Sequence, residues 1–382
     1  MAGKQIVVLG GGVGGLVAAR RLRALLGSDH RIILVDKAER HVFWPSLLWV
    51  MTGDRAPAAV VRDLASLARK GIDVRRAEIK ALDPARRTMR LDGEEVAADY
   101  LVISLGADLA LDAVPGLAQG AHECFSLDGA SRSADAVRSF RGGRVAVVVA
   151  SMPYKCPGAP CEAAFLLDAY FRRRGVPAQV ALYTPEPEPL PVIGGAASAA
   201  VLDIFESRGI PYYAKRQLAS VDAGVRELVF TDGGREGYDL LVAVPPLRAP
   251  AVLREAGLLG EKGWVPVDRA TLATRYPGVF AIGDATGITL ANGKPLPKAG
   301  VFAHGQAETV AANIAAEINR GLGREVFDGY GACFLETGEG RAAYGSGNFY
   351  AEPGPHVKLR QPARRWHWGK VAWEKRWFWK WF

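Results

Sequence analysis

The residues of this sequence best suited to chemistry are its four cysteines and a cluster of early glycines. Four thiols in 382 residues are too few for a secreted disulfide framework, so each is either buried filler or a reacting group. Cys156 has the surroundings of a reacting group. It lies in the run Ser151-Met-Pro-Tyr-Lys-Cys-Pro-Gly-Ala-Pro-Cys161, between a strand and a helix and beside Lys155. A neighbouring cation and a helix N-terminus both lower a thiol pKa and favour the nucleophilic thiolate. Cys161 follows in C-x-x-x-x-C spacing, Cys124 sits in His122-Glu-Cys-Phe-Ser, and Cys333 in Gly329-Tyr-Gly-Ala-Cys-Phe-Leu-Glu336. The other signal is Gly10, Gly12 and Gly15 in G-x-G-x-x-G spacing. Such glycines permit a tight turn and let backbone N–H groups approach a pyrophosphate at a helix N-terminus.

The elements around these residues must be strand, turn, helix, strand. A β-branched run at residues 5–9 precedes the glycines, a helical stretch 16–26 follows, and a second strand, 31–35, ends in Asp36, placed to accept from a ribose hydroxyl. At this point the dinucleotide is equally FAD or NAD. A second such unit begins with the buried-strand signal 143–150 and continues through a helix at 162–174 and a strand at 179–184. Its first turn is the Cys156 run, where three prolines and bulky side chains replace the glycines. That turn offers no phosphate cradle, so the second unit keeps its architecture and loses nicotinamide binding, and electrons must come from another donor.

A chain of this length exceeds one hydrophobic core and predicts two packed domains plus an appendage. The net charge of +8 comes without a recognisable reading module, which argues against nucleic acid. No run reaches the ~18 apolar residues of a membrane span, and Met1 leads into a strand without a signal-like stretch. From Arg364 to Phe382, however, six of the nine tryptophans interleave with Arg and Lys, with Glu374 the single acid. Amphipathic rings and cations in this density predict a helix lying in the plane of a membrane, with Trp366, Trp373, Trp377 and Trp381 on its apolar face. Removing it should then spare chemistry at the cofactor and impair access to a membrane-held substrate. A docking surface for another protein is the alternative.

Three further segments carry a resemblance. Asp99 to Ala107, DYLVISLGA, with Gly106 in its turn, resembles the crossing segment of glutathione-reductase-type flavoproteins. Tyr276 to Asp284, YPGVFAIGD, resembles their late FAD motif, in which Gly283 and Asp284 would hold the ribityl chain. His41-Val-Phe-Trp-Pro-Ser-Leu-Leu resembles the loop that sulfide:quinone oxidoreductases and type II NADH dehydrogenases wrap round the isoalloxazine. The resemblance to sulfide:quinone oxidoreductases, and to the flavin subunit of flavocytochrome c sulfide dehydrogenases, covers nearly the whole chain. It implies an α/β fold of two Rossmann-like dinucleotide-binding domains, with the FAD domain discontinuous (1–112 and 265–324), a degenerate second domain (113–264), and a C-terminal segment (325–382) ending in an amphipathic helix.

The same resemblance implies FAD as cofactor, held at Gly10, Gly12, Gly15, Asp36, Gly106, Gly283 and Asp284, with no metal. It makes Cys156 and Cys333 the redox pair flanking the flavin, with Cys124 near a third cysteine of the bacterial enzymes. Lys298, in Leu296-Pro-Lys-Ala-Gly-Val-Phe302, would add positive charge to a helix N-terminus at the pyrimidine end of the flavin. Cys156 and Cys161 share the spacing of the glutathione-reductase disulfide, but follow the second-domain strand instead of the early helix; the local pair stands as the rival to Cys156 and Cys333. The implied reaction is sulfide oxidation with electrons passed to a membrane quinone, by a peripheral membrane protein on the cytoplasmic face that is potentially homo-oligomeric. A cytochrome acceptor and an NADH donor are the alternatives.

Overall fold

The computed structural model describes residues 3–321 and 324–382. Its first sheet is fully parallel, in the spatial order Val279–Ala281, Tyr100–Ile103, Gln5–Leu9, Arg31–Asp36, Asp73–Arg76. Ile6 to Leu9 and Ile32 to Val35 are wholly or almost wholly buried. Continuous apolar runs of this kind are what strands covered on both faces require. The edge strand Val279–Ala281 comes from far along the chain, so the first sheet is completed by a segment that follows the whole second sheet in sequence. The helices Val13–Leu25 and Gly300–Ile318 pack against each other on one face.

The second sheet is also parallel, in the order His122–Glu123, Leu240–Val244, Gly143–Val149, Ala178–Tyr183, Tyr212–Tyr213. The helix Ala159–Arg173 covers it and starts three residues before the position expected from sequence, with Pro160 in its first turn. Proline is tolerated there because the first N–H groups of a helix have no internal partner. After the helix Gly300–Ile318, three antiparallel strands follow, Tyr330–Gly338, Arg341–Asn348 and His356–Ala363, and the chain ends in the helix Arg364–Trp381.

That last helix corrects the sequence reading. Trp377, Phe378 and Trp381 are buried in the same core as Leu16, Phe43 and Ile314. Trp373 packs edge-on against Phe43, and Trp366 stacks on Tyr344. The stripe expected to face lipid is therefore the seam that joins the helix to the body. The Trp377 indole N–H donates to His41 Nε2 at 3.0 Å, while His41 Nδ1 lies 2.9 Å from the Gly11 carbonyl oxygen. Burial pushes the His41 pKa down to about 4 against the opposing Gly11 bond, so the ring stays neutral and can accept from the indole. The outward face carries Trp368 and Trp379, 65% and 83% exposed, among Arg365, Lys375, Arg376 and Lys380. Among the described residues, no helix is long and apolar enough to cross a membrane.

Candidate active site

The early turn has the backbone its glycines suggested. Gly10 has φ +101, and a Cβ there would overlap the Ser104 carbonyl oxygen; a Cβ on Gly15 would overlap the carbonyl oxygen of Gly10. A Cβ at Gly12 or Gly106 would meet nothing within 4 Å, so these two border open space. Gly12 also N-caps the helix Val13–Leu25 without any side-chain cap, leaving its N–H groups free to meet a phosphate. Asp36 Oδ2 accepts from the Gly11 N–H at 2.5 Å, and Oδ1 from the Ala38 N–H at 2.6 Å. The carboxylate thus fixes the turn and retains lone pairs for a hydroxyl.

Gly283 sits at φ +70 and donates its N–H to Gln306 Oε1 at 2.7 Å. Beside it, Asp284 pairs with Lys155 Nζ at 3.1 Å. The sequence reading placed Lys155 as the cation that activates Cys156. Here its ammonium goes to Asp284 and lies over the Trp44 ring at 4.1 Å. Lys298 Nζ donates to the carbonyl oxygens of Asp284 and Thr286 at 2.8 and 2.6 Å and lies 3.5 Å from the Trp264 ring centre. Burial brings its pKa down to about 7, against the pull of Asp284. The helix Gly300–Ile318 begins two residues later, again without a side-chain cap. The positive-φ glycines, two uncapped helix N-termini and the Asp284 carboxylate fit the phosphates and polyol of a flavin dinucleotide. Of the aromatic loop, His41 and Phe43 are committed to the C-terminal seam and Trp44 to Lys155.

Cys156 and Cys333 come from opposite parts of the chain and meet, with their thiols in hydrogen-bonding reach. Cys156 is half-buried and Cys333 exposed, so the pair borders open space. Cys156 occupies a left-handed backbone position, φ +59. For a non-glycine residue that conformation costs about 1–2 kcal/mol and marks a position held by its surroundings. The holder is a main-chain bond: Cys156 N–H donates to the Lys298 carbonyl oxygen at 2.8 Å, stapling the thiol turn to the segment after the late glycine motif. The bond between the sulfurs draws Cys333 below the ordinary thiol range and lifts Cys156 above it.

The other two thiols lie elsewhere. Cys124 and Cys161 are buried in the hydrophobic core of the second domain, and burial raises both pKa values far from a thiolate. Core thiols of this kind behave as small apolar side chains. Four residues that the sequence reading gave no chemical role cluster on the helix, the strand and the C-terminal helix next to the reacting pair's own segments. Glu162, in the first turn of Ala159–Arg173, is bonded to Lys370 from the C-terminal helix, and both are buried. Glu336, on the strand that carries Cys333, is buried and 2.9 Å from His367 Nδ1. The signal available was an acid inside the apolar run Ala-Pro-Cys-Glu-Ala-Ala-Phe-Leu-Leu.

A model of the family described as pyridine nucleotide-disulphide oxidoreductase matches residues 4–307, which implies a flavin-type dinucleotide cofactor. A mitochondrial sulfide:quinone oxidoreductase of Mus musculus is 28% identical over 366 residues, 91% of this chain and 79% of the relative. A sulfide-quinone reductase of Aquifex aeolicus is 25% identical over 402 residues, 99% of this chain and 91% of the relative. The solved structure of the sulfide:quinone oxidoreductase from Aquifex aeolicus superposes with a TM-score of 0.89 at 23% identity, over 99% of this chain and 91% of that one.

Proposed function

The chain belongs to the pyridine nucleotide-disulphide oxidoreductase family, and from that premise we propose that it oxidises sulfide and reduces a quinone, with FAD as cofactor and Cys156 and Cys333 as the reacting pair. The observation that carries this reading is the meeting of two thiols from distant segments beside the Gly283–Asp284 turn, in a second domain whose first turn has no glycine cradle. The full-length similarity to named sulfide:quinone oxidoreductases supports the substrate pair.

Bound FAD supplies a two-electron acceptor that can be reoxidised by a quinone. The protein's part is to present sulfur at the right place. With Cys156 and Cys333 joined as a disulfide, hydrosulfide attacks one sulfur; the old S–S bond breaks, a persulfide forms on one cysteine, and the other leaves as a thiolate. The lower pKa of Cys333 makes it the better leaving thiolate. Asp284 and the N-terminus of Gly300–Ile318 would help to hold the cofactor. Mixing the purified protein anaerobically with sulfide tests the reading: the flavin absorbance should bleach with sulfide and persist with NADH. Bleaching by NADH alone would sink it.

The quinone side calls for a membrane surface, and Trp368 and Trp379 with their flanking Arg and Lys residues suit one. Indole rings lie at headgroup depth, and each nearby cation adds about 1 kcal/mol on anionic lipid. Replacing both tryptophans by alanine should reduce co-sedimentation with anionic vesicles while leaving turnover with a soluble short-chain quinone unchanged. Equal sedimentation of the two forms would reject attachment through this face.

A further inference from the structure

We infer that Lys155 is a positioning residue for the cofactor: it reaches from the thiol turn to the Asp284 carboxylate, holds that group, and keeps a positive charge where the reduced flavin gains a negative one. The inference rests on the flavin reading of the site and on no particular substrate. Lys155 Nζ lies 3.1 Å from Asp284 Oδ2, and the two side chains keep only 17% and 12% of their exposure. Water therefore screens the pair poorly. The ammonium also lies 4.1 Å from the centre of the Trp44 ring, in the short helical turn Trp44–Ser46. The backbone fixes the lysine as well. Lys155 forms a parallel bridge with Lys298, and the Cys156 N–H donates to the Lys298 carbonyl oxygen at 2.8 Å. Four segments thus meet at one ammonium: the loop after the second strand, the thiol turn, the turn Gly283–Ala285 and the segment before Gly300–Ile318.

An ion pair in this place could serve only to tie the two sheets together. Two observations point past a tie. The thiol turn is already joined to residue 298 through main chain, by the bridge and the Cys156 bond, so the contact does not need two charges. The neighbouring lysine, moreover, leaves the carboxylate alone. Lys298 Nζ donates to the carbonyl oxygens of Asp284 and Thr286, and burial brings its pKa down to about 7, so near neutrality it carries only part of a charge. Among the described residues, Lys155 is the one cation within 4 Å of the Asp284 carboxylate oxygens. Reduction adds two electrons and one proton to a flavin and leaves it one negative charge richer. A lone carboxylate beside it opposes that change, and a paired ammonium offsets the opposition. Lys155, next in sequence to a reacting thiol, thereby makes the flavin a better electron acceptor.

The test reads the flavin and needs neither sulfide nor quinone. Full-length protein carrying its flavin is reduced stepwise by dithionite against a reference dye at pH 8, where Lys298 has lost most of its charge. Lys155→Met and Lys155→Gln should each lower the ratio of reduced to oxidised flavin about tenfold at a given dye ratio, a fall of about 30 mV for two electrons. Lys155→Arg should stay within about threefold of the unaltered protein, because a guanidinium keeps both the charge and the ring contact. A ratio unmoved in both neutral variants overturns the inference. A fall in Lys155→Met alone also overturns it, since glutamine can still donate to Asp284 and the tie would then matter in place of the charge. Alkylation of the exposed Cys333 by iodoacetamide should keep its rate within about twofold in all three variants. Slowing in the two neutral variants alone would assign the charge to the thiols and reject its role at Asp284. Lys155 is only partly buried and its main-chain contacts survive each exchange, so the variants should fold. A protein that shows these shifts yet fails to bleach with sulfide would lose the proposed substrate and keep the role of Lys155.

Discussion

Cys333→Ser and Cys156→Ser are each expected to lose sulfide-driven quinone reduction by roughly a thousandfold or more, the scale of removing a covalent nucleophile, with the flavin still bound. The cofactor should survive because its hold lies in backbone: the positive φ of Gly10, Gly106 and Gly283, the uncapped helix at Gly12, and Asp36 bonded to Gly11. Neither cysteine contributes to those contacts. Cys161→Ser should keep most of its activity, since that thiol lies on the helix Ala159–Arg173 and is buried in the second-domain core, and a hydroxyl there costs stability more than rate. The flavin spectrum of each variant and its initial rate with sulfide and a short-chain quinone decide the matter. A dead Cys161→Ser beside an active Cys333→Ser would move the chemistry to the local pair.

The cofactor turns were legible in the sequence because glycine at a positive φ has almost no substitute, so spacing alone carries the geometry. The thiol turn was half legible. Its loss of glycines between a strand and a helix could be read directly, but the partner of Lys155 could not, because Asp284 reaches it only when the late motif folds back across the second domain. Glu162, Glu336 and Lys370 were opaque for a related reason. Nothing in its own segment marks any of them as buried, since a surface position is the ordinary expectation for a charge, and only the closing of a strand and the last helix over Ala159–Arg173 buries all three together. The tryptophan-rich tail was misread because its sequence offers two indole stripes. Trp373, Trp377 and Trp381 lie on one side, Trp368 and Trp379 on the other, and both sit among cations. Composition cannot say which stripe meets the body. That choice is made by Phe43, His41 and the helix Gly300–Ile318, which together provide the apolar face that the first stripe fills.

Deletion of residues 364–382 should consequently prevent stable folding, in contrast to the harmless loss of a surface anchor. Burial of Trp377, Phe378 and Trp381 contributes about 1.5–3 kcal/mol each, of the same order as the whole margin of a folded domain, about 5–15 kcal/mol. The deletion also takes Lys370 from Glu162 and leaves a carboxylate buried without its cation, a loss of roughly 3–5 kcal/mol. Ser46 and Arg55 lose Glu374, the buried acceptor that ties the C-terminal helix to the loop after the second strand. The truncated chain should appear as insoluble or flavin-free protein. A single Trp377→Ala, which opens a cavity and removes the bond to His41, should destabilise by about 3–5 kcal/mol and release flavin at lower temperature, because His41 connects that indole to Gly11 in the cofactor turn. Thermal unfolding followed by flavin fluorescence and by circular dichroism measures both steps. A truncated protein that kept its flavin and unfolded at the wild-type temperature would show that the seam contributes little, and would return the tail to the role of a detachable membrane anchor.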